Sequence, residues 1–303
     1  MWAALATTLF FSLSAIAATR MTKVMGGVKA NFWRMILATI FLGVLAHSLG
    51  HGLGSPGRWV FFWSGLVGFG IADTALYQAL PRLGSRLSVL LVHCLAAPFA
   101  ALVEWLWLGT VLDTPQMLCG LTILVGVSLA LAPDKLAPLD ARERWRGVAF
   151  GVLAGLGQGG GAVISRKAYA LAKAGGFSVD GFTAAYERIW GGIIVAGSAY
   201  ALLRLRESRK KRQAEWPNFK AASSWMTLNA IAGPVLGVSC YQWALGSVPT
   251  GVVLPIVALT PLVILPFSRW VEKEKPTARS LAGGVLAVGA VMALVWLRNR
   301  AVS

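Results

Sequence analysis

LSVLLVHCLAAPFAALVEWLWL, residues 87–108, holds one charged side chain, Glu104, and one histidine, His93, in an otherwise apolar run. As a helix rising 1.5 Å per residue it would be about 33 Å long, enough to cross ~30 Å of hydrocarbon. TGVVLPIVALTPLVILPFSRW, residues 250–270, reads the same way and meets its first charge only at Arg269. Moving outward from these two, further apolar runs cover approximately 2–19, 30–47, 59–80, 116–132, 147–165, 182–203, 222–245 and 278–297. Ten membrane spans are therefore expected. The breaks between them are Gly50-His51-Gly52 with Ser55-Pro56-Gly57, Pro81-Arg82, Asp113-Thr114-Pro115, the polar connector Pro133–Arg146, and the basic hinge Arg204–Lys220. The N-terminal run lacks the basic start of a signal peptide and ends in Thr19-Arg20-Met21, so it is read as a retained first span.

Composition agrees. Of 303 residues, 56% are hydrophobic and 13% charged, with a mean hydropathy of +0.66. Soluble domains carry about 25% charged residues, so this chain cannot cover a water-soluble globule. The net charge of +16 would suggest nucleic acid in a soluble protein. Here the basic residues cluster at hinges, which favours lipid and excludes a nucleic-acid stripe. Cys94, Cys119 and Cys240 stand singly inside apolar runs and read as small packing residues, not metal ligands.

The ten spans divide five and five around Pro133–Arg146, and the halves echo each other. Tyr77-Gln78-Ala79-Leu80 closes the third span and Tyr241-Gln242-Trp243-Ala244-Leu245 the eighth. Pro98 and Pro261 sit mid-span in the fourth and ninth, 163 residues apart, as are Gly120 and Gly283, and Gly126 and Gly289. Phe32-Trp33-Arg34-Met35 faces Tyr186-Glu187-Arg188-Ile189 near the openings of the second and seventh. An odd number of spans per repeat forces opposite orientations. That is the inverted-repeat architecture of secondary transporters.

The ordered set of Arg34/Arg188, Tyr77/Tyr241, Pro98/Pro261 and the paired glycines resembles the EamA-like branch of the drug/metabolite transporter superfamily. The resemblance covers two repeats, residues 1–133 and 145–298. It departs where members often carry Gly-Glu after the fourth span, since Gly109-Thr110 and Val271-Glu272 stand there. It implies an all-α multi-pass protein of the plasma (inner) membrane, in contact with the lipid bilayer, with a small-molecule substrate. The expected function is a secondary exporter or exchanger of small polar or amphipathic metabolites, amino acids first, with no enzyme activity and no cofactor. The alternative from another class is a membrane enzyme acting on a lipid-linked substrate. Without a Walker motif, ATP coupling is not expected. Twenty-one of the 28 basic residues flank hinges after odd-numbered spans, which places those hinges in the cytoplasm; the resemblance implies the opposite orientation.

Polar groups at membrane depth are costly and need a cavity or a partner. Asp73 reads either as a cation- or proton-binding group or as a helix-end residue bonded to a neighbour. His93 reads as a cavity residue or a hydrogen-bonded structural histidine, and protons are the candidate coupling ion. Pro98 is expected to break its helix mid-membrane and expose backbone to substrate. Glu104, beside Trp105 and Trp107, reads as an interfacial charge. Arg34 and Arg188 either snorkel to headgroups or hold an anionic substrate group or cross-half ion pair. Tyr77, Gln78, Tyr241 and Gln242 suit a cavity binding an amphipathic metabolite, with interface anchoring as the rival. Two motifs are decoys: Gly155–Gly160 matches G-x-G-x-x-G but lacks a preceding strand, and its glycines should let helices approach closely. His47 and His51 have metal-pair spacing in a glycine-broken hinge.

Overall fold

The computed structural model describes residues 1–131, 140–207, 215–263 and 278–300. These residues are helical, with no strand among them. In chain order the rods are α1 (Trp2–Met25), α2 (Gly27–Leu49), α3 (Arg58–Gly84), α4 (Leu87–Leu108), α5 (Thr114–Leu131), α6 (Ala141–Ala174) and α7 (Gly181–Arg206). Then come α8 (Glu215–Ala230, Ile231–Gly237 and Val238–Ser247), α9 (Thr250–Val263) and α10 (Ala278–Arg300). Five of them, α1, α2, α3, α4 and α6, are long and apolar enough to cross a membrane by themselves. The apolar runs of α5, α9 and α10 are shorter. Residues 133–139 of the connector, the Arg209–Arg212 cluster, the end of the 250–270 run and Val271-Glu272 fall outside the described residues.

The outer surface is apolar. Val44, Val111, Leu118, Leu121, Ile194 and Val285 are exposed, as lipid-facing side chains must be. Trp59, Trp63, Trp105, Trp107 and Trp243 are exposed on the face where α2, α4 and α8 end, the placement of an aromatic belt.

Packing relates the halves. The pairs α2–α7, α4–α9 and α5–α10 each exchange into themselves under a shift of five helices, and α1–α8 exchanges into α6–α3; all are in contact. α3 and α8 are interrupted at matched points by seven-residue π-helical turns, Leu66–Ala72 and Ile231–Gly237. Small residues permit close approach. A Cβ on Gly155 would lie 3.0 Å from the Val92 carbonyl oxygen and one on Gly159 2.7 Å from that of Ala96, so α6 lies against α4 backbone to backbone.

Pro98 departs from expectation. α4 keeps helical dihedrals through it, and the residue is exposed on the side of the helix away from the core. A helix interior loses one backbone bond at proline, and a long packed rod can absorb that loss. The irregular backbone lies instead in the two π-turns, at Gly84 (φ 75°), where α3 turns into α4, and at Ala258–Leu259 in α9. Pro261 follows that last turn and is buried.

Candidate functional site

A cavity of about 100 Å³ lies between the halves. α1 contributes Phe11 and Ser14, α2 Arg34, α3 Phe69, Asp73 and Tyr77, and α4 His93. The second half adds Gln158 from α6, Arg188 from α7, Val238 and Tyr241 from α8, and Thr260 from α9. The wall also takes in Ala18, Leu80 and Val89, near the ends of α1, α3 and α4 on the face of the odd-numbered hinges.

The polar groups are organised by α2 and α3. Arg34 is 4% exposed and is bonded to the Asp73 carboxylate, while its Nε donates to Asn31 Oδ1 at 3.1 Å. Its guanidinium stacks 4.6 Å from the Tyr77 ring centroid. Tyr77 donates to Asn229 Oδ1 (2.9 Å), and Asn229 donates to the Ser14 carbonyl (2.7 Å). A connected network thus joins α1, α2, α3 and α8 across the two halves. Arginine here holds a fixed partner and does not snorkel: it is buried and bonded to Asp73.

His93 is buried, with Gln158 Nε2 3.3 Å from its Nδ1 and the Phe11 ring stacked at 6.3 Å. Arg188, 4% exposed, lies 5.2 Å from the Phe69 ring. Its neighbour Glu187 turns away and accepts from Ser55 N (3.0 Å) and Ser55 Oγ (2.6 Å).

Beyond the cavity, on the opposite face, the helices are tied shut. Glu104 is 1% exposed, so it is not the interfacial charge expected. It accepts from Arg166 Nε (3.0 Å) and Thr250 N (2.6 Å) and is bonded to the Thr250 hydroxyl. Arg166 also donates to the Leu245 carbonyl at 2.8 Å. The expectation failed because the partners arrive from α6 and α9, far along the chain.

Of the residues singled out in the sequence, Arg34, Asp73, Tyr77, His93, Arg188 and Tyr241 meet on this cavity wall. Gln78 accepts from Arg82 outside it, Gln242 is fully buried beside it, and Pro98 and Pro261 are not on the wall. Gln158 escaped notice because it sits in the glycine run of the decoy motif; Asn229, Ser14 and Asn31 gave no signal beyond being polar in an apolar run. His47 bonds within its helix to the Gly43 carbonyl (2.8 Å), and His51 packs on Phe177. No three His, Cys, Asp or Glu side chains gather as a metal site among the described residues.

An apolar, all-helical protein with a cavity between its halves that holds buried charged groups in a mostly apolar wall is built as a membrane transporter of small molecules. The chain belongs to the EamA-like transporter family, whose sequence profile matches residues 1–132 and again 145–296. A solved structure described only as "Crystal structure of protein" shares the fold, with a TM-score of 0.67 at 17% identity, over 98% of this chain and 99% of that one. No curated protein sequence matches.

Proposed function

We propose that the chain spans the inner membrane ten times as two inverted five-helix repeats and moves a small polar or amphipathic metabolite through the central cavity, without ATP. Export or exchange is the direction proposed, with amino acids as the first compounds to try. The observation that carries the reading is the cavity itself. It reaches the helix ends on one face and stops at the Glu104–Arg166–Thr250 tie on the other, the form expected of one state in alternating access.

Proton coupling is assigned to His93 rather than Asp73. Asp73 is already committed to Arg34, whereas His93 has only a neutral amide beside it on the wall. The test reconstitutes purified protein in liposomes and follows a panel of labelled metabolites with and without a pH gradient. Flux without ATP is expected, and His93→Gln should weaken its response to the pH gradient. Flux only with ATP, or none across the panel, overturns the reading; unchanged pH dependence in His93→Gln removes the coupling role alone.

A further inference from the structure

Arg34 and Arg188 meet matched glycines in the opposite halves. A Cβ on Gly233, in the α8 π-turn, would lie 3.6 Å from Arg34 Nη1, and one on Gly68, in the α3 π-turn, 2.7 Å from Arg188 Nη2. Their charges are handled differently. The residue closing the α3 turn is Asp73, which binds Arg34; the residue closing the α8 turn is Val238. Arg188 has no hydrogen bond or ion pair to any described residue, and its buried Nε has no partner. Glu187 is turned to Ser55, and Asp73 is the one carboxylate among the wall residues. The wall therefore holds two guanidinium groups against one carboxylate.

A buried guanidinium without a counter-charge is costly, and it cannot shed its proton. Its planar fork matches an oxyanion better than it matches water. The Tyr241 hydroxyl, buried and also without a partner, is a second donor on the same wall. Phe11, Phe69 and Val238 supply apolar surface around them. We propose that Arg188 anchors a compact oxyanion, a carboxylate or a phosphate, on the organic compound that the cavity carries. The proposal rests on the transport reading above and supplies its substrate class.

Broken symmetry provides the test. Val238→Asp places a carboxylate where the first half has Asp73, and should satisfy Arg188 from within. Binding of phenylacetate, phenyl phosphate, inorganic phosphate and phenylacetamide to the purified protein in detergent is measured by calorimetry. Phenylacetate or phenyl phosphate should bind at least about tenfold more tightly than phenylacetamide, the scale of one hydrogen bond to a charged group. That preference should vanish in Val238→Asp and Arg188→Gln, weaken in Arg188→Lys, and fall less in the neutral Val238→Asn than in Val238→Asp. If Arg188→Gln fails to fold, Val238→Asp and Arg188→Lys still decide. No preference in the parent, no organic oxyanion bound below about 10 mM, or a preference untouched by Val238→Asp overturns the anchor. Inorganic phosphate binding alone also overturns it. Metabolite flux without the preference leaves the transporter reading standing and removes the anchor; the preference without flux does the reverse.

Discussion

Asp73 and Arg34 hold each other in a place where neither could stand alone. Both line the cavity, Arg34 with 5% and Asp73 with 20% of its side chain accessible. Removing one member of a buried pair leaves the other uncompensated, at about 3–5 kcal/mol for fully buried groups. The accessibility of Asp73 puts Asp73→Asn near the low end, about 3 kcal/mol. Thermal unfolding in detergent should show that loss, and Asp73→Glu should recover part of it. An Asp73→Asn protein as stable as the parent would mean the pair contributes nothing. That this region is polar was legible in the sequence, because Arg34, Asp73, Tyr77 and His93 interrupt apolar runs and lipid offers them no hydrogen bonds. Which of them pair was not. Asp73 is 39 residues from Arg34, and Tyr77 reaches Asn229 across 152; no periodicity within one span reports such distances. The same blindness misplaced Glu104, whose tryptophan neighbours suggested an interface while its binding partners lay on two other helices.

Helix packing depends on where a Cβ can be accommodated. The stripe Gly147, Gly151, Gly155 and Gly159 recurs every four residues along α6; the last three face α4, and Gly147 meets Arg82 and Leu83 at the end of α3. In the sequence this run looked like helix-approach glycines despite its nucleotide-binding pattern, because a long apolar run surrounds it. The π-turns of α3 and α8 could not be read there: their glycines and Pro234 fit an ordinary bend equally well, and the neighbours that crowd them, Arg188 at Gly68 and Ser14 at Gly233, come from the other half of the chain. Two glycines with opposite surroundings test the packing argument. At Gly289 nothing lies within 4 Å of an added Cβ, whereas at Gly159 the Ala96 carbonyl oxygen is 2.7 Å away. Alanine gains up to about 1 kcal/mol of helix propensity over glycine at either site. At Gly159 overpacking against rigid backbone should cost about 1–3 kcal/mol and reverse the sign. Gly289→Ala should therefore unfold at the parent's temperature or higher, and Gly159→Ala clearly below it. Equal behaviour would show that α4 and α6 can slide apart at little cost.

At the scale of the whole protein, the proposed transport cycle makes the cavity and its seal two ends of one equilibrium. A transporter working by alternating access must open the sealed face and close the other, and it cannot do both halves of that motion independently. The ties on the sealed face are concentrated in Glu104, which joins α4 to α6 through Arg166 and to the first turn of α9 through Thr250. Glu104→Gln keeps the shape and weakens the charged bond, while Arg166 retains the Leu245 carbonyl and 21% of its side chain in contact with the outside. A bias of about 1.4 kcal/mol toward the opposite state would raise its population about tenfold if it is initially minor. A cysteine at Gln242, buried on the sealed side, should then react faster with a soluble thiol reagent, in a background with Cys94, Cys119 and Cys240 replaced. General loosening would do the same, so a second position is decisive. A cysteine at Leu76, on the cavity wall, should react more slowly in the same Glu104→Gln protein, because the open face closes as the sealed one opens. Faster labelling at both positions would identify simple unfolding, and unchanged labelling at both would show that Glu104 does not hold the seal.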